Sequence, residues 1–190
     1  MKYIVLYDAC VLYPSALRDV LIELAMPHYG LFQAKWTERI ESEWLNNLIK
    51  NRPDLDPAKL QRVAQLMRNA VPDCMVTNYE KLEAGLSLPD ANDRHVLAAA
   101  IRCKAQAIIT SNLKDFPAEV LQEFDIEAIH PDVFLINQFD LSDAKVLDAI
   151  KNIRSRMINP SCTAVEYLER LAVSGLTAFS QKLDEFEHLI

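Results

Sequence analysis

Glycine is nearly missing from this chain, with three among 190 residues. So few cannot build the glycine-rich loops in which backbone closes around phosphate, which excludes the common nucleotide cradles, and they leave no flexible glycine-serine linker. Cysteine is also scarce. Cys10, Cys74, Cys103 and Cys162 are scattered, with no CxxC and no Cys-His pair at zinc-ligand spacing, so they are expected to be reduced and mostly buried. Long apolar runs are missing too: the opening MKYIVLYDAC carries one lysine and a short apolar stretch that meets Asp8, too short for a signal peptide or a membrane span. A cytoplasmic protein with no membrane partner is expected. Nor is there an excess of positive charge, because the formal net charge is -7, which argues against nonspecific coating of nucleic acid. A nuclease remains compatible, with Lys35, Arg39, Arg52, Lys104 and Lys114 available for a limited basic track.

What is present suffices for a core, since 51% of residues are apolar. Residues 2–7 (KYIVLY) form an uninterrupted apolar run expected of a central parallel strand, ended by Asp8. A helix over residues 15–26 follows, and then one over 38–51, capped by Thr37. In that helix Ile40, Trp44 and Leu48 recur at four-residue spacing, Glu38 and Glu41 face outward, and Glu43 sits at the edge of the buried stripe. Asp56-Pro57 opens another helix. Residues 74–77 read as a short strand and 79–86 as a short helix.

The most informative stretch is residues 88–117, LPDANDRHVLAAAIRCKAQAIITSNLKDFP. It predicts a capped helix from about 90 to 104, a buried strand at 107–110, and a polar loop at the strand's carboxyl end. Residues 124–129 are a plausible edge strand, and His130-Pro131 starts a further helix. From residue 141 onward only helices are predicted, separated by Asn159-Pro160-Ser161 and by Gly175 as a helix C-cap. The expected architecture is α/β: a three-layer α/β/α sandwich with a central, mainly parallel sheet over 1–138, and an α-helical extension over 139–190.

Four acids recur at places where such a fold gathers ligands: Asp8 after the first strand, Glu43 on an early helix, Asp93 at a later helix start, and Asp115 beyond the next strand. With the words YDACVLYP, ESEW, DANDRHVLAAA and TSNLKDFP, this order resembles the PIN-domain ribonucleases, particularly the VapC-type toxins of toxin-antitoxin systems. The likeness covers residues 1–138, and the helical tail resembles the C-terminal domain of longer VapC-like proteins. The resemblance implies that Asp8, Glu43, Asp93 and Asp115 are the catalytic acids, with Asp8, Asp93 and Asp115 on the metal. Asn112, with Thr110 or Ser111, matches the family's polar residues after that strand. Asp90 is a cap or outer partner, since Asp-x-x-Asp at a helix start is also a plain capping arrangement. Carboxylates favour Mg2+ or Mn2+. The function implied is endonucleolytic cleavage of single-stranded RNA by a toxin with a basic antitoxin partner and, in many relatives, a homodimeric state.

Other residues have plainer readings beside functional ones. His95 is either an acid-base group or a buried helix residue with one hydrogen bond. Arg18 and Asp19 either orient an acid or substrate or form a structural ion pair, and Trp36 and Trp44 either stack bases or fill the core. Two other functions compete. One is a noncatalytic protein- or RNA-binding module whose acids hold a structural cation or a partner's basic residues. The other is a phosphotransfer domain, which the haloacid-dehalogenase pattern disfavours because position 10, where a second Asp is required, is Cys10.

Overall fold

A computed structural model describes residues 2–190. Four short strands form one wholly parallel sheet: β1 (Ile4–Tyr7), β2 (Gln33–Lys35), β3 (Ala107–Ile109) and β4 (Glu127–Ile129), in the order β2-β1-β3-β4. Val5, Leu6 and Tyr7 alternate in direction yet are all 0% exposed, so both faces of the central strand are covered, as the unbroken apolar run predicts. The Tyr7 hydroxyl donates to the Leu21 carbonyl at 2.9 Å, tying the strand to the helix that follows.

Between β1 and β2 lie a single turn, α1 (Ala9–Leu12), and α2 (Ser15–Leu24). Buried Arg18 donates to the carbonyls of Leu12 and Tyr13 at 2.8 and 3.4 Å and lies over the Trp44 ring. It therefore braces the turn after Asp8 from below, and no Arg18-Asp19 ion pair forms among the described residues. β2 is a strand that the sequence pattern did not reveal. Its three residues, QAK, hold one apolar side chain, and their extended form is set by pairing with Ile4, Val5 and Leu6.

α3 (Glu38–Asn51) is capped by the Thr37 side chain, which accepts from the Ile40 amide at 3.0 Å, and α4 (Pro57–Ala70) by Asp56. Glu41 departs from expectation. It is buried rather than outward, held by the Trp36 indole at 3.2 Å and by both Nε and Nη2 of Arg68 from α4 at 3.0 and 2.5 Å. Trp36 and Trp44 are both fully buried, so neither can stack on a base. The strand expected at 74–77 reduces to one parallel bridge, Trp36 with Met75, and the helix expected at 79–86 to α5 (Glu80–Glu83).

The helix expected over 90–104 forms in two parts: a 3-10 turn, Ala91–Asp93, and α6 (Arg94–Cys103). Asp90 caps the turn, accepting from the Asn92 amide at 2.8 Å. After β3 a second 3-10 turn, Leu113–Asp115, leads to α7 (Ala118–Leu121) and the edge strand β4. α8 (Pro131–Leu141), α9 (Asp143–Ser155), α10 (Ala164–Val173) and α11 (Thr177–Asp184) complete the chain as the expected run of helices.

These terminal helices share the sheet's core. Phe134 meets Phe32 edge-on with ring centres 5.0 Å apart, and Val146, Ile150, Tyr167, Leu171 and Phe179 are buried in the same apolar cluster as β1. Polar ties reinforce the contact: Arg156 to Glu23, Tyr29 to Asp148, and both carboxylate oxygens of Asp132 accepting from the Ala178 and Phe179 amides at the start of α11. α10 carries a reciprocal Thr163-Glu166 capping box, and Gly175 takes φ +89° at its end, where a side chain would be strained.

Candidate active site

The sheet order turns back on itself between β1 and β3, and a crevice outside the strands' carboxyl ends opens at such a switch point. Asp8 follows β1 and Thr110 follows β3, so the parallel register sets them side by side. The Asp8 amide donates to the Ile109 carbonyl at 3.1 Å, continuing the ladder by one bond. The side chains then meet: Thr110 Oγ1 donates to Asp8 Oδ2 at 2.7 Å. Cys10 Sγ lies 3.1 Å from the same oxygen and accepts from the Ser111 amide at 3.3 Å. Asp8 is 6% exposed, and these donors fix its carboxylate at the floor of the cleft. Burial, followed by the charge of Asp8, pushes the Cys10 thiol up to about 12, so it acts here as a neutral donor.

The cleft has a volume of about 400 Å³ and is walled by Asp8, Cys10, Tyr13, Glu43, Asp93 and Asn112, with Asn47 and Asn51 extending it along α3. Glu43, Asn47 and Asn51 recur at four-residue spacing, so one face of α3 presents them together. That polar stripe was the available signal for the two asparagines, and it was not used in the sequence reading. Asn51 also donates to the Tyr13 hydroxyl at 3.2 Å. Glu43 Oε1 lies 3.0 Å from His95 Nε2 and 3.4 Å from Arg39 Nε, while Arg39 also holds Glu83.

Asp93 reports the electrostatics. Its carboxyl is raised from the ordinary 3.8 to about 6, first because it is partly removed from water and then because Asp8, Asp90 and Asp115 repel its negative charge. His95 offsets a smaller part. Three of the four predicted acids, Asp8, Glu43 and Asp93, line the cleft. Asp115 is half-buried in the 3-10 turn beyond β3, near enough to act on Asp93 though not on the cleft wall. Of the polar residues, Asn112 lines the cleft and its amide donates to Thr110 Oγ1 at 3.0 Å; Ser111 contributes its amide, and Asp90 its cap. His95 is 1% exposed, so the buried reading describes its placement.

Among the described residues, no three His, Cys, Asp or Glu side chains stand close enough to hold a metal ion as they are placed. The chemistry of the donor set nevertheless fits one kind of ion. A hard divalent cation that keeps most of its waters needs only one or two direct carboxylates, and the charge raising Asp93 is what such an ion relieves. A larger cavity, about 620 Å³, lies elsewhere between α2, α4 and α9. Its walls include Ile22, Met26, Met67 and Met157; of its two carboxylates Glu23 is paired with Arg156 and Asp19 stands alone, so it gathers no cluster of acids.

A family model described as PIN domain matches residues 5–114, and one described as VapC50 C-terminal domain matches residues 131–185. The chain belongs to the PIN-domain family. A protein of Mycobacterium tuberculosis (strain ATCC 25618 / H37Rv), named "Putative ribonuclease VapC50", is 43% identical over 79 residues, which is 42% of this chain and 47% of that protein. The chain thus spans about half the length of this curated relative. No solved structure matches. The PIN-domain match runs from within β1 to Lys114, so it includes Asp8, Glu43, Asp93 and Thr110 and stops one residue short of Asp115. No helix among the described residues is long and apolar enough to cross a membrane.

Proposed function

We propose that this chain is a divalent-metal-dependent endoribonuclease that hydrolyses phosphodiester bonds in single-stranded RNA, acting in the cytoplasm as the toxin of a type II toxin-antitoxin pair. The observation that carries the reading is the gathering of Asp8, Glu43 and Asp93 on the walls of one cleft at the carboxyl ends of the strands; burial first, and then the charges of Asp8, Asp90 and Asp115, raise the Asp93 carboxyl, with His95 offsetting a smaller part. Asp8, Asp93 and Asp115 would hold Mg2+ or Mn2+, with Glu43 completing the set. When bound, the ion lowers the pKa of a water and offsets negative charge on the phosphoryl oxygens. The chain's own side chains do the rest. Thr110 and Cys10 fix Asp8, so its carboxylate does not reorganise during the reaction. Glu43, at the cleft wall, is placed to accept a proton from the attacking water. Asn47, Asn51 and Asn112 offer amide groups to the ribose-phosphate backbone.

The partner that fits is a basic antitoxin segment, given the net charge of -7 and a cleft lined by acids. Residues 1–138 would form the nuclease unit and 139–190 the helical extension. A noncatalytic module is the second reading, favoured by the lack of any ready-made three-ligand group among the described residues. Cleavage of end-labelled single-stranded RNA in Mn2+ separates the two. Cleavage lost in EDTA and in Asp8→Asn is expected; cleavage indifferent to both would refute the nuclease proposal.

A further inference from the structure

Outside the carboxylates, one buried polar side chain reaches the cleft without touching its open space. We infer that His95 is a positioning residue that sets where the Glu43 carboxylate stands. The inference rests on the nuclease reading given above. His95 belongs to the inner stripe of α6, where Val96, Leu97, Ala98, Ala99 and Ala100 are all 0% exposed and an imidazole is costly. Its Nδ1 is buried with no hydrogen-bond partner among the described residues, so packing alone gives no reason for a histidine there. The compensation is at the other nitrogen, where Nε2 lies 3.0 Å from Glu43 Oε1, within donating distance between α3 and α6. With Nε2 turned to the carboxylate, Nδ1 is the ring nitrogen left facing the core.

Arg39 is the competing holder of Glu43, and it is the weaker one. It lies 3.4 Å from the same oxygen, its side chain is 44% exposed, and it is shared with Glu83, so solvent and salt loosen its grip. The imidazole is locked by the core and has no alternative partner. Glu43 is therefore anchored at one oxygen by a fixed donor, and its second oxygen is left for the cleft. Groups that orient carboxylates at a metal centre in this way are typically worth ~10–100-fold in metal affinity or activity.

The test compares His95→Leu, His95→Gln and His95→Asn in the full chain. Mn2+ binding to the apo protein is followed by electron paramagnetic resonance, and cleavage of end-labelled single-stranded RNA is resolved into kcat and KM. His95→Leu is expected to lower Mn2+ affinity and kcat by ~10–100-fold with KM for RNA nearly unchanged. Gln carries its amide donor near the Nε2 position and is expected to restore most of the loss; Asn, whose amide reaches only as far as Nδ1, is not. In a Glu43→Ala background His95→Leu should add nothing. Equal losses in the Leu and Gln variants that track their melting temperatures, or an additive effect on Glu43→Ala, would overturn the inference. If His95→Leu does not fold, the Gln and Asn pair decides alone. Should Asp8→Asn abolish cleavage while all three His95 variants cleave normally, only this inference fails; should Asp8→Asn also cleave normally, the nuclease reading fails first.

Discussion

Replacing Asp93 by Asn should stabilise the metal-free protein at pH 8, by less near pH 5, and not at all below about pH 4. The carboxyl is raised from 3.8 to about 6 in the folded chain, so between those values the folded state binds more protons than the unfolded state, and stability falls as pH rises. Above pH 6 the penalty is complete; below about 4 it is absent. Two pH units correspond to about 3 kcal/mol. Because Asp93 is only half-buried and water screens its neighbours, about 1 kcal/mol is the better expectation. Asn removes the charge while keeping the shape, and for a chain of this size 1 kcal/mol moves the melting temperature by about 2–4 °C. Thermal melts in EDTA from pH 5 to 8 would show the variant's advantage growing with pH. Saturating Mg2+ should reverse the order, because ion binding stabilises the parent by about 2.7 kcal/mol at a hundredfold excess over Kd and the variant by less. An Asp93→Asn protein that is less stable than its parent at pH 8, or whose difference from it does not vary with pH, would refute the idea that unrelieved carboxylate repulsion is stored in this cleft.

Arg68→Ala should cost about 2–3 kcal/mol in urea denaturation, since it leaves the 4% exposed Glu41 with only the Trp36 indole; Glu41→Gln together with Arg68→Ala should recover part of the loss. Cys10 should resist iodoacetamide at pH 8 in the folded protein, because its thiol is pushed up to about 12, and react once the chain is denatured; rapid labelling of the native state, read by mass spectrometry, would contradict the hydrogen bonds around Asp8. Asp132→Ala should lower stability by about 1–2 kcal/mol through loss of the paired cap on α11, a loss measurable by chemical denaturation.

The elements legible in the sequence are those whose signals are local. The apolar run at β1, the Thr37 and Asp56 caps and the Gly175 terminus each lie within a few residues of what they determine. β2 was not legible because its cause lies in Ile4, Val5 and Leu6, thirty residues away. Glu41 was misplaced for the same reason: period puts it outward, but Trp36 and Arg68 reach it from outside its helix. At the cleft, Asp8 and Asp93 stand where motif order puts them, whereas the contributions of Asn47 and Asn51 depend on how α3 lies against α1. Whether Asp115 reaches a bound ion depends on the turn beyond β3, which no periodicity describes.

Charge pairing distinguishes the acids of this cleft from the buried glutamates elsewhere in the chain. Buried Glu41 is paired with Arg68, buried Glu23 with Arg156, and exposed Asp54 with Arg52. Glu43 has Arg39 at 3.4 Å and His95 Nε2 at 3.0 Å. Asp8, Asp90, Asp93 and Asp115 have no basic side chain within ion-pair distance among the described residues. Asp8 is nevertheless buried, and two of its neighbours, Thr110 and Cys10, supply neutral donors where an arginine would have supplied charge. Neutral donors orient a carboxylate and leave its charge in place, so buried Asp8 differs from buried Glu23 and Glu41, each of which is paired with an arginine. On the proposed reading the occupant of the cleft brings positive charge with it, and in a space lined by carboxylate and amide oxygens a hydrated divalent ion would do so with less desolvation than a buried ammonium or guanidinium group.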